Sequence, residues 1–306
     1  MNATTLLDLR PLSVGELLDR TFRLFRRHFL TFILVAIIMQ LPVSILQIGS
    51  TLLANNFAVD PVAENPFENI ALFLPAMLIT FGIAFASFII SQVGTAALTQ
   101  AVADSYLGRP VSFDSAFSRM GNTWFTLILA SILSGFLIFG LTIPIVLGAL
   151  IPCLGFLVAL IGFFFLGAVA SILFSLLPPV VVLERANVID AVARTWALSK
   201  LRFWWVFGYL ILLSVLTFVI IFGPAAVIGG VLGIVLGETS LLVQSIVQQS
   251  ATLVLTAVFL PIRIAAITLM YFDLRIRFEG FDLMVLASAN QTVLDNASDL
   301  TTKTVL

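Results

Sequence analysis

The sequence predicts an all-α integral membrane protein: six transmembrane helices built as three parallel repeats, each an interfacial amphipathic helix followed by a two-helix hairpin. Three observations lead there. Of its residues 60% are hydrophobic and only 10% are charged, where a soluble globular domain carries about a quarter charged residues; mean hydropathy is +1.16. Several apolar runs exceed the roughly 20 residues that cross a hydrocarbon core as a helix. One device also occurs three times, as RPLSVGELLDRTFRLFRRHF (10–29), RPVSFDSAFSRMGNTWF (109–125) and RANVIDAVARTWALSKLRFWW (185–205). Each copy opens on an arginine and continues with an N-cap candidate, Ser13, Ser112 or Asn187. Each then places a second arginine (Arg20, Arg119 or Arg194) ahead of an aromatic residue and a long apolar run.

Residues 1–9 are a polar start. In the first basic segment Ser13 and Glu16 have the spacing of a capping box. Val14, Leu17, Leu18, Thr21, Phe22, Phe25 and Phe29 recur at helical spacing, and Arg20, Arg23, Arg26 and Arg27 take much of the remaining surface. That pattern predicts a helix lying in the membrane interface with its basic groups towards anionic headgroups. The apolar run that follows, 29–54, is too long for a cleaved signal segment and reads as a first span, with Pro42 predicted to kink it. A polar loop (55–69) carries Asp60, Glu64 and Glu68 but no Lys or Arg. The second span lies within 70–103.

The second basic segment places Asp114 and Arg119 near a helix start. Span three begins at Trp124 and contains Pro144; an uncharged turn around Pro152 leads to span four, 154–183. Pro178–Pro179 is predicted to break that helix before Glu184. The third segment, with Arg185, Arg194, Lys200 and Arg202, introduces span five from Phe203. Gly223–Pro224 interrupts it, and a glycine-rich piece runs on to Gly237. Span six is 241–272, and the tail is expected to be disordered after about residue 290 on composition alone.

Six spans can be tested against the positive-inside rule. With a cytoplasmic N-terminus, the inner segments 1–28, 104–123, 184–202 and 273–306 hold every Lys and Arg outside the spans, and the outer turns hold none. The reading is therefore a single membrane domain, 10–272, with units 10–103, 109–183 and 185–272 and a cytoplasmic tail, 273–306. Units of equal orientation are related by an axis along the membrane normal, so a pseudo-threefold bundle is one outcome. Proline in the later half of each first span (Pro42, Pro144, Pro224) would open its outer half.

Candidate chemistry is sparse. His28 is the only histidine and Cys153 the only cysteine, so an intramolecular disulfide is excluded and a metal cluster of these residues is not encoded. There is no phosphate loop, nucleophile elbow or paired-carboxylate motif, and no enzyme activity, cofactor or metal is expected. Arg263, in LPIRIAAITLM, is costly in lipid unless it snorkels, pairs or faces water. It is either an anchor for an anion or lipid headgroup, or a structural charge held by a carboxylate or a carbonyl freed by Pro261. Gln92, Thr95, Thr99 and Gln100 share a face of span two, and Gln244, Ser245, Gln248, Gln249, Thr252 and Thr256 share one of span six. They predict interhelical hydrogen bonds or a polar cavity. Ala225, Gly229, Gly233 and Gly237 make a small-residue ridge for helix packing.

The closing stretch YFDLRIRFEGFDL (271–283), together with the opening and third basic segments, resembles bacterial multi-pass proteins classed with the membrane domain of glycerophosphoryl diester phosphodiesterases. The resemblance implies a polytopic protein of the bacterial inner membrane. It does not extend to the catalytic barrel, whose histidines and metal-binding carboxylates have no counterpart in a chain with His28 alone. The function read from the sequence is that of a non-enzymatic membrane scaffold or assembly factor; the alternative is a transporter or lipid-handling protein using a polar cavity between hairpins. Expected partners are membrane lipids, chiefly the anionic inner leaflet, and a protein partner or second copy, with no nucleic acid.

Overall fold

The computed structural model describes residues 12–56, 66–151, 154–235, 241–281 and 283. The polar start, Pro152, Cys153, Gly237 and the tail beyond 283 lie outside them. The described residues are helical, with no strand. In chain order the helices are α1 (Val14–Arg27), α2 (Phe29–Asn56), α3 (Pro66–Tyr106), α4 (Phe113–Met120), α5 (Thr123–Ala149), α6 (Gly155–Glu184), α7 (Val188–Lys200), α8 (Phe203–Thr217), α9 (Gly223–Val235) and α10 (Leu241–Glu279). Six segments are long and apolar enough to cross a membrane: Phe29–Leu53, Leu74–Tyr106, Thr123–Ala149, Gly155–Glu184, Phe203–Val231 and Val243–Glu279. Large side chains such as Phe136, Phe139, Phe156 and Ile234 stand exposed on them, as helices facing hydrocarbon do. The chain fits a multi-pass membrane protein.

Helix starts follow local capping. Ser13 Oγ accepts from the Glu16 amide while the Glu16 carboxylate accepts from the Ser13 amide. Ser112 and Ser115 make the same reciprocal pair at α4. Asn187 occupies the N-cap of α7 without a side-chain cap bond. Helix α1 buries Leu17, Thr21 and Phe25 and packs along α10. Phe22 and Phe29, expected on the same face, are exposed, because the strip that meets protein is the narrower i, i+4, i+8 row. At its end, partial burial and then the neighbouring Arg27 push His28 below the usual imidazole value.

The bundle is organised around α10. Within its most apolar window 56% of residues are buried inside the protein, against 28% or less for the other spans. It touches α1, α2, α3, α6, α7, α8 and α9. Its C-terminal half, Ile264 to Ile276, is buried with Arg275 the most accessible residue of the stretch. The other close partners are α2 with α3 and α5 with α6.

Proline acts differently from expectation. Helix α6 runs through Pro178 and Pro179 to Glu184, so the predicted break is absent. A proline deletes one amide donor and crowds the carbonyl four residues back. In a bundle with neighbouring helices that loss is tolerated without ending the helix. The carbonyls left without those donors belong to Phe174 and Ser175. Pro42 and Pro144 likewise sit inside continuous helices. The interruption at Gly223–Pro224 is present as one π turn, Phe218–Phe222, which shifts the hydrogen-bond register ahead of the proline.

Close helix approach depends on glycines the ridge argument did not select. A Cβ on Gly94 of α3 would sit 2.9 Å from Met39 Cβ of α2. On Gly162 it would sit 2.8 Å from Ile145 Cγ2, joining α6 to α5. Gly94→Ala is therefore expected to destabilise the protein by about 1–3 kcal/mol, the usual cost of overpacking. Reversible unfolding in detergent measures it, and equal stability would show that Met39 can move aside.

Candidate functional site

Between α3, α5, α6 and α10 lies a cleft of about 220 Å³ whose wall includes Arg263. Its polar lining comes from four helices: Gln92, Thr95 and Thr99 on α3, Ser131 on α5, Ser175 on α6, and Arg263 and Thr268 on α10. The α3 residues share a face because they stand at helical spacing. Leu260, Ile264, Ile267 and Phe174 complete the wall, and no carboxylate lines it. The prolines that thread α6 also open here, at Pro178 and Pro179.

Arg263 is accessible from this space, while the residues on either side of it, Ile262 and Ile264, are buried. It stands ten residues before Asp273, roughly 15 Å along the helix. Among the described residues it makes no hydrogen bond and no ion pair, so the structural counter-charge that the sequence left open is not among them. The Gln92 amide donates to Ser131 Oγ at 3.2 Å, tying α3 to α5. Thr99 Oγ is fully buried and has no hydrogen-bond partner. A guanidinium beside the orphaned Thr99 hydroxyl, in a mainly apolar setting with no carboxylate, suits an oxyanion; the Thr95 and Thr268 hydroxyls already donate to the Ser91 and Ile264 carbonyls.

The polar stretch Gln244–Thr256 does not reach the cleft; Gln248 instead faces Gly229, where a Cβ would meet its Oε1 at 3.3 Å. Ala225 is buried on the same helix, and Gly237 lies outside the described residues. The remaining basic candidates are not gathered into one site. Arg23, Arg26 and Arg27 are exposed along α1 and Arg20 is half-buried there, while Lys200 is exposed at the end of α7. The Arg202 guanidinium lies over the Trp205 ring at 4.9 Å.

Sequence reasoning missed a charge network at the end of the bundle that carries the short helices. Asp104, almost fully buried at the end of α3, meets Arg119 of α4 at 3.0 Å. Glu184, ending α6, accepts from Arg194 Nε of α7 at 2.9 Å and from the Tyr271 hydroxyl at 2.7 Å. Glu279, ending α10, pairs with both Arg194 and Arg275. Partial burial opposes the Arg194 charge, yet these two carboxylates hold its guanidinium above the usual value. Asp273 accepts the Leu12 amide at 2.7 Å and Arg277 Nε at 2.7 Å, and Arg277 donates to the Leu12 carbonyl at 2.6 Å. A signal was available: each second span ends in a carboxylate, Asp104, Glu184 or Asp273, the single acidic residue of its apolar run.

Compared with known proteins, the chain matches no family model, no curated protein and no solved structure.

Proposed function

We propose that this protein is a non-enzymatic, six-span protein of the bacterial inner membrane that binds an anionic group in the Arg263 cleft, as a lipid-handling or anion-carrying protein does. One observation carries the reading: an accessible guanidinium about 15 Å inside the bundle, without a counter-ion among the described residues and ringed by hydroxyl and amide groups. A charge at that depth is expensive and is retained where it does work on a substrate or lipid. A scaffold, the other class open from the sequence, gains nothing from it. The positive-inside rule supports a cytoplasmic N-terminus and C-terminal tail, and the three basic segments support a parallel repeat. A cysteine at exposed Ser118 on α4, in a Cys153→Ser background, is accordingly expected to react with an impermeant maleimide only from the cytoplasmic side. Reaction from outside would invert the topology.

The cleft is tested by native mass spectrometry of the chain from nanodiscs of phosphatidylglycerol and phosphatidylcholine. The native chain is expected to retain phosphatidylglycerol selectively; Arg263→Ala is expected to lose about tenfold or more in retention, the scale of one charged hydrogen bond, and Arg263→Lys to keep part of it. Equal retention by Arg263→Ala would remove the cleft from the function.

A further inference from the structure

One helical turn nearer the short-helix end, three of those four helices, α3, α6 and α10, border a second cavity of about 210 Å³. Arg109, Arg185 and Arg275 all line it, with Asp104 as the one carboxylate in its wall. Arg109 and Arg185 are the residues that open the second and third copies of the basic segment. They lie 76 positions apart in the chain (185 − 109 = 76), yet both reach one chamber. Neither is needed for the charge network. Arg109 approaches Asp104 only to 3.7 Å with 59% of its side chain exposed, and the other oxygen of that carboxylate is held by Arg119. Arg185 donates to the Arg119 carbonyl at 3.4 Å and has no ion pair among the described residues. Arg275 is engaged by Glu279, Glu184 and Tyr271 and adds field rather than a free fork.

We infer that this chamber is a second anion site, taking a phosphate group through the guanidiniums of Arg109 and Arg185 with Arg275 behind them. Guanidinium forks converging from separate elements match a tetrahedral oxyanion, which offers acceptors in several directions. Backbone geometry aims them: Gly108 (φ +70) turns the chain before Arg109. Arg185, capping α6, is the only described non-glycine residue with positive φ, at φ 52 and ψ 35, a conformation costly for a residue with a side chain.

The two chambers are in register. On α6 and α10 the step between linings is three or four residues, Pro179 to Val182 and Thr268 to Phe272, about 5–6 Å, while on α3 the lining residues Thr99 and Gln100 are adjacent. Buried Val180, Val181, Leu269, Met270 and Tyr271 fill that step. The chamber therefore stands beside the Arg263 cleft as its mouth on the short-helix side, closed off from it by these side chains. Binding at the mouth rests on its own geometry; passage onward rests on the reading proposed above.

The test uses the full chain in phosphatidylcholine nanodiscs with two probes, inorganic phosphate by equilibrium dialysis and dioleoyl phosphatidate by native mass spectrometry. In an Arg263→Gln background, which removes the cleft, Arg109→Gln/Arg185→Gln is expected to weaken binding at least about tenfold, and Arg109→Lys/Arg185→Lys to retain most of it. Arg263→Gln is expected to leave the mouth site intact, so its effect separates the two readings. Phosphatidate bound without phosphate identifies a lipid headgroup as the source; both bound identifies the phosphate group itself. Neither probe bound by the native chain, or both bound equally well by the double Gln variant, overturns the proposal.

Discussion

Asp273→Ala is expected to be the most destabilising single change outside the apolar core, at about 3–5 kcal/mol, the range for breaking a buried ion pair. The Asp273 side chain is fully buried in its pair with Arg277. It satisfies the Leu12 amide directly and positions Arg277 to satisfy the Leu12 carbonyl. Alanine would leave a backbone donor without its acceptor and a guanidinium without its charge partner at one stroke. The segment entering α1 loses its anchor, so new protease sensitivity ahead of α1 should accompany the lower stability. Asp273→Asn keeps an acceptor for Leu12 and should lose less. An unfolding midpoint and cleavage pattern equal to the native chain would show that α1 is held by its Leu17–Thr21–Phe25 face alone.

Glu184→Gln should cost about 2–4 kcal/mol, less than a fully buried pair because the side chain retains 17% exposure and solvent screens part of its charge. Glu184 joins α6 to α7 through Arg194 and to α10 through Tyr271. Glu279 still faces both arginines, which limits the loss. A double-mutant cycle with Arg194→Gln, read by unfolding in detergent, should give a coupling energy of about 0.5–3 kcal/mol. Additive losses would mean that Glu279 alone holds Arg194.

Much of the fold is legible because membrane helices are written locally. The first span was expected from residue 29 and α2 begins at Phe29; Ser13, Ser112 and Asn187 all stand at N-caps. Hydropathy and capping both act over a few residues, so one sequence suffices to see them. Arg263 was visible for the same reason, as a lone charge in an apolar run. What escaped depends on distance in the chain. Glu184 meets Tyr271 across 87 positions, and Gly94 is needed only because Met39 lies opposite it. Pro178 and Pro179 misled because the rule that proline ends a helix is a rule for helices in water, where a freed carbonyl and a broken helix are both cheaply hydrated. The polar run Gln244–Thr256 misled in the other direction, since periodicity shows that residues share a face but not what that face meets.

The short helices are each held by the span before them in the cycle: α4 by Asp104 of α3, α7 by Glu184 of α6, and α1 by Asp273 of α10. The last clasp joins residues 261 positions apart, so it cannot form until nearly the whole chain has left the ribosome. Until then α1 lacks its α10 partner and Leu17 and Phe25 stay uncovered, and a contact of such sequence separation forms late. Closure of that ring marks completion, and a nascent chain stalled before span six would display an unclasped N-terminal helix to the proteases that survey the membrane.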